Sequence, residues 1–169
     1  MRKGLILLFL AACGAASAQP IPSKEAFLNE VYCHIVDSTA SGFYLSRDAY
    51  PCGFIKYNYE EWFKYNLKEY VPIYILDELA EKCYRDRRHA TWQQDSLAEA
   101  VCVSPLAGDS IKHPHFDLSK PEFTDDGRYA IIDVVIHCGR GCTSGYTCLF
   151  RRIGPAAWKI IGNSLNWAS

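Results

Sequence analysis

A surplus of charge of either sign is missing from this chain: 18 Lys and Arg stand against 19 Asp and Glu, a formal net charge of -1. It therefore lacks the electrostatic footprint of a nucleic-acid or acidic-membrane binder. Long apolar runs are missing too. The stretch Leu5 to Ala12 falls far short of the roughly 18–20 residues a membrane-spanning helix needs, and no later stretch reaches that length. There is no C-x2-C pair, G-x-S-x-G elbow, H-E-x-x-H helix, Walker loop or EF-hand loop. Those absences withhold support from a structural zinc site, from a Ser, Cys or His nucleophile, and from any cofactor. Internal repeats, low-complexity tracts and an interdomain linker are also lacking.

What the chain does have is cysteine, eight in 169 residues, and apolar residues at 49% against 22% charged. That composition excludes a disordered chain. Arg2 and Lys3, the apolar stretch Leu5 to Ala12, and Ala16-Ser17-Ala18 before Gln19 follow the order of a secretory signal. Residues 1–18 are thus expected to be a signal peptide, and 19–169 a single domain in the periplasm or outside the cell. A domain of that size buries about 68–70% of its unfolded surface and needs no staple in order to fold. A second reading competes for the leader: Leu10-Ala11-Ala12-Cys13 resembles the lipobox of bacterial lipoproteins. In that case Cys13 would be acylated, the one route to membrane attachment the sequence offers.

Export makes Cys33, Cys52, Cys83, Cys102, Cys138, Cys142 and Cys148 disulfide candidates, and an odd count leaves one over. Six cysteines allow 15 connectivities. Locality favours Cys33 with Cys52, Cys83 with Cys102, and Cys138 with Cys142, leaving Cys148 as the odd thiol. Cys138 and Cys142 are spaced C-x3-C, not the C-x-x-C of thioredoxin-like enzymes, and the residues after them read as strand instead of helix.

Ser23 reads as an N-cap for a helix carrying Phe27, Leu28, Val31, Tyr32, Ile35 and Val36 on one face. Phe43 to Leu45 suggests a short strand before the Tyr50-Pro51-Cys52-Gly53 turn. Helical spacing returns at Tyr59, Trp62, Phe63, Leu67 and Tyr70. Another helix starts at Pro72 and buries Ile73, Leu76, Leu79, Ala80 and Cys83, with Arg85, Arg87, Arg88 and His89 at its negative end. A short helix is expected near Ser96 to Ala100. From Ile111 the pattern is strand: Ile111 to Ser119, Lys120 to Thr124, an Asp125-Asp126-Gly127 turn, then Tyr129 to Cys138, Tyr146 to Ile153 and Trp158 to Trp167. The layout is α+β, N-terminal helices packed on a C-terminal antiparallel β-meander.

Lys120-Pro121-Glu122-Phe123, Asp126-Gly127, Tyr129-Ala130, Cys138-Gly139 with Cys142, and Trp158-Lys159-Ile160 through Trp167-Ala168-Ser169 form one ending. It resembles that of small exported proteins of uncharacterised Gram-negative bacterial families, over about residues 118–169. Its layout is also similar to the closing strands of NTF2-like and cystatin-like domains. The resemblance implies a curved sheet wrapping helices and supplies no active site.

Three constellations could carry chemistry. Gly139, Arg140 and Gly141 sit between Cys138 and Cys142, where glycine freedom and an arginine fork suit an anion. From Val134 onward there are four basic residues and no acidic one, while the rest of the mature chain has 12 basic and 19 acidic. Asp133 and His137 share one strand face, about 13 Å apart. His113 and His115 lie on one side of a strand with Asp117 next, the candidates for a divalent metal. The expected function is therefore an exported domain, of unknown partner, that works by binding or structural association. The alternatives are an enzyme with a pocket between helices and sheet using Asp133 or His137, or a periplasmic thiol protein using Cys142 or Cys148.

Overall fold

Ser23 opens the first helix as its sequence suggests, its Oγ accepting the Ala26 N–H at 3.1 Å and its carbonyl the Phe27 N–H at 2.9 Å. The computed structural model describes residues 20–35, 43–53, 65–98, 100–103, 115–139 and 142–168. Helix α1 runs Lys24–Ile35 and buries Phe27, Leu28 and Val31. Helix α2 runs Ile73–Arg85 and buries Ile75, Leu76, Leu79, Ala80 and Cys83. Ile73, expected in that buried face, is half exposed; it stands at the first helical position, and Ile75 takes its place inside. The expected helix beginning at Tyr59 lies outside the described residues except for its end, where Leu67 is buried and Tyr70 is half exposed.

The strands are β1 (Phe43–Tyr50), β2 (Ala90–Thr91), β3 (Ala100–Val103), β4 (His115–Ser119), β5 (Glu122–Phe123), β6 (Tyr129–Gly139), β7 (Cys142–Gly154) and β8 (Ala157–Ala168). They form one sheet in the order β2-β1-β4-β6-β7-β8, with β3 on β1 and β5 on β6. The expected antiparallel meander is present in β4, β6, β7 and β8. The sheet as a whole is mixed, because β1 lies parallel to β4 and to β3. The fold is α+β. The helix expected near Ser96 to Ala100 is instead a 3-10 turn, Gln94–Ser96, leading into β3. Ala100 there pairs with Phe43, a partner 57 positions away that no local pattern reveals.

The sheet is the middle layer, since alternate residues of its central strands join different helices. Ala130, Ile132 and Val134 of β6, with Phe150 of β7 and Trp158 of β8, pack with α1. Phe27 sits at their centre, edge-on to Phe123, Phe150 and Trp158 at ring distances of 5.2, 5.5 and 5.1 Å. Ile131 and Leu149, one residue out of phase, pack with α2 on the opposite face. β6 is thus buried on both sides, as the apolar residues on both of its faces imply.

This layering explains the disulfide pairing. Cys52, in the turn after β1, bonds Cys83 of α2, with Cα atoms 4.9 Å apart. That replaces both expected pairs, Cys33–Cys52 and Cys83–Cys102. Cys33 stands free and exposed on α1, on the other side of the sheet from Cys52. Cys142 is disulfide-bonded, whereas the side chains of Cys102 and Cys138 lie outside the described residues. Cys148 is free and buried.

The C-terminal end of α2 is tied to the β5–β6 hairpin by charge. Lys82 bonds Asp125 at 2.5 Å and the Phe123 carbonyl at 2.6 Å, and lies 3.3 Å from Glu78. Lys120 bonds Asp86 and lies 3.3 Å from Glu122.

Candidate functional site

Along the α2 face of β6 the side chains change character. Ile131 lies under α2, Asp133 and Val135 are buried beyond it, and His137 is half-buried toward the far end. The antiparallel register with β4 places His115 opposite His137 and Asp117 opposite Val135. Because strand side chains alternate, His115, Asp117 and His137 emerge on one face. Their rings and carboxyl meet there. His137 Nε2 and Asp117 Oδ2 are 2.7 Å apart, and the His115 and His137 rings stack with centroids 4.3 Å apart and planes 6° from parallel. One ligand-type atom from each of the three residues lies within 4.8 Å of the others. All three are half-buried, open enough to be reached and enclosed enough to be held in place.

Neighbouring groups feel this cluster. Burial and the adjacent His137 ring hold the His115 imidazole below its ordinary range, against the opposing pull of Asp117. Tyr50, at the end of β1, is pushed upward by burial and then by the Asp117 charge. Tyr44 is paired with His115 in the β1–β4 register, and Thr143 with His137 in the β6–β7 register.

Asp133 has a different occupation. It is fully buried; its Oδ2 accepts the Gly53 N–H at 2.5 Å and its Oδ1 the Thr147 hydroxyl at 2.7 Å. Its own N–H donates to Ser119 Oγ at 2.8 Å, and Asn166 Nδ2 donates to Thr147 Oγ1 at 3.1 Å. Gly53 has φ of 79°, a conformation glycine tolerates, and this turns its N–H into the sheet. Asp133 therefore anchors the Pro51-Cys52-Gly53 turn, and with it the disulfide to α2, onto the central strand.

Asp133 and His137, candidates together in the sequence, share a face but not a site. His115 and Asp117 are joined by His137 across the strands, a meeting that neither the His113–His115 spacing nor the Asp133–His137 spacing contains. Gly139 pairs with Cys142 at the hairpin end of β6 and β7, just past an irregularity in their register. Arg140, Gly141 and His113 lie outside the described residues. Cys148 projects to the α1 side, where burial pushes its thiol up to about 12.

Comparison of the chain with protein-family models, with curated proteins and with solved structures finds no match in any of the three.

Proposed function

We propose that this chain is an exported, disulfide-stapled binding domain whose ligand is received by His115, Asp117 and His137. The observation that carries the reading is the convergence of these three polar side chains from two adjacent strands on one half-buried face. An imidazole–carboxylate pair flanked by a second imidazole can accept, donate or coordinate. None of the three is a hydroxyl or a thiol. The commitment of Asp133 to Gly53 and Thr147 speaks against an enzyme using Asp133, and His137 turns instead to Asp117. A thiol buried and pushed up to about 12 favours packing over redox chemistry at Cys148.

Export is supported by the Cys52–Cys83 disulfide, which belongs to a non-reducing compartment. No helix among the described residues is long and apolar enough to cross a membrane. In this reading the leader is removed after Ala18 and the mature chain is released, not lipidated at Cys13.

Expression of the full chain with its leader tests the compartment. Intact mass of the exported product should begin at Gln19 with Cys52 and Cys83 oxidised. A diacylglyceryl-modified Cys13 would replace release with anchoring, and a cytosolic product with both thiols free would overturn export. For the site, a ligand that raises the melting temperature of the wild-type chain should fail to do so for His137→Ala. An equal rise in both would place binding elsewhere.

A further inference from the structure

Resting on the reading of this strand face as the binding site, we propose that its ligand is a divalent first-row transition ion coordinated by the imidazoles of His115 and His137 and the carboxylate of Asp117. The donor set gives the first argument. Two imidazole nitrogens and one carboxylate oxygen suit zinc and its borderline neighbours, whereas calcium and magnesium seek all-oxygen surroundings.

Distances give the second. Metal–nitrogen and metal–oxygen bonds of about 2.0–2.2 Å in a tetrahedron set donor atoms about 3.3–3.5 Å apart. The present donors lie within 4.8 Å of one another, with the closest pair, His137 Nε2 and Asp117 Oδ2, at 2.7 Å. That pair is now within hydrogen-bond distance. A metal ion entering between the two atoms has to spread them by about 0.7 Å, given the tetrahedral spacing. Side-chain rotation supplies such a change, and the strands need not move.

Placement gives the third argument. His115 and His137 are directly opposed residues of β4 and β6, and Asp117 is two positions along β4 on the same face. All three donors therefore stand on hydrogen-bonded strands inside the sheet, which fixes their backbones before any ion arrives. Asp133 cannot be borrowed as a fourth ligand, because its two oxygens are engaged by Gly53 and Thr147. Three protein donors leave a coordination position for water or for a group brought by a partner.

The test uses the mature oxidised chain, stripped with a chelator and titrated with zinc by calorimetry, with bound metal counted by native mass spectrometry. About one ion per chain is expected. His115→Ala, His137→Ala and Asp117→Asn should each weaken binding by at least about ten-fold. His34→Ala, on the exposed end of α1, should leave it unchanged, and calcium should not compete. Far-UV circular dichroism establishes that each variant is folded, and Asp117→Asn, nearly isosteric, keeps the test open if an alanine variant is not. Absence of zinc binding to the wild-type chain, or equal affinity in the three site variants, would overturn the metal assignment. In either event the ¹⁵N imidazole signals of His115 and His137 are followed against non-metal ligands. Movement of those signals retains the binding site without its metal; no movement with any ligand overturns the site as well.

Discussion

Asp133 and His137, four positions apart on one face of β6, face different partners: Asp133 takes the Gly53 N–H and the Thr147 hydroxyl, and His137 takes Asp117. The first set is fully enclosed and the second half open. Burial commits the first set to stability, and accessibility leaves the second available for the binding role proposed for it.

Asp133→Ala should therefore unfold the chain readily. It strands a buried N–H and a buried hydroxyl, each costing about 1–3 kcal/mol when left unpaired. A loss of about 3 kcal/mol or more is expected from urea unfolding, with Asp133→Asn losing less because one acceptor oxygen survives. A loss below about 1 kcal/mol would mean that the Gly53 turn does not depend on Asp133.

Reduction, or the double replacement Cys52→Ser with Cys83→Ser, should cost between about 3 and 4 kcal/mol on the chain-entropy account of a loop this long. Alkylation under native conditions should label Cys33, which is exposed, and spare Cys148, whose thiol is buried and pushed up to about 12. Peptide mapping after iodoacetamide treatment reads both. Rapid labelling of Cys148 in the folded chain would contradict its burial in the core on the α1 side of the sheet.

Gly162 of β8 lies against the ring of Tyr70. A Cβ added there would meet Tyr70 Cδ2 at 2.8 Å and Cγ at 3.0 Å. Gly162→Ala should cost about 1–3 kcal/mol, the range for overpacking. Combining it with Tyr70→Ala should relieve most of that increment, so a double-mutant cycle in urea should return a favourable coupling. Additive losses would mean the ring yields without cost.

Two carboxylates on the α2–hairpin seam should titrate with opposite signs. Burial raises Glu122 above its ordinary 4.5, with Lys120 only partly compensating. The folded chain thus holds that proton more tightly than the unfolded one, and stability falls as pH rises from about 4 through the raised value. Glu122→Gln should accordingly gain on the wild type as pH approaches neutrality. Hydrogen bonds from Arg88 and then Lys120 hold Asp86 well below its ordinary 3.8. Its contribution is complete above that ordinary value and is lost as pH falls toward the lowered one. Asp86→Asn should cost about 1 kcal/mol near neutrality, as a partly exposed ion pair does, and progressively less in acid. Stability differences from the wild type that change with pH in the same direction for the two variants would refute this pairing.

Much of the fold was legible because it is locally encoded. The Ser23 cap, the buried stripe of α2 and the Asp126-Gly127 turn are written in neighbouring residues. β6 declared itself by being apolar on both faces. The long-range pairings were not legible. Phe43 with Ala100 and Tyr44 with His115 are parallel partners far apart in the chain, so β1 looked shorter than it is and β3 did not show as a strand. The same limit governed the cysteines: nearness in sequence suggested Cys33 with Cys52, but the intervening sheet assigns them to opposite layers. At the candidate site, strand alternation put His115 beside Asp117, and only the β4–β6 register brought His137 to them. The polar role of Asp133 was hidden because the Gly53 turn that needs it lies 80 positions away.

Urea unfolding of the wild type and of His137→Ala, each with and without saturating zinc, tests the binding account most directly. Without zinc the variant should lie within about 1 kcal/mol of the wild type, the worth of one part-exposed hydrogen bond. Zinc at one hundred times its dissociation constant should add about 2.7 kcal/mol to the wild type and almost nothing to the variant. A metal-free His137→Ala as unstable as Asp133→Ala, or an equal zinc gain in both chains, would contradict the assignment of His137 to binding.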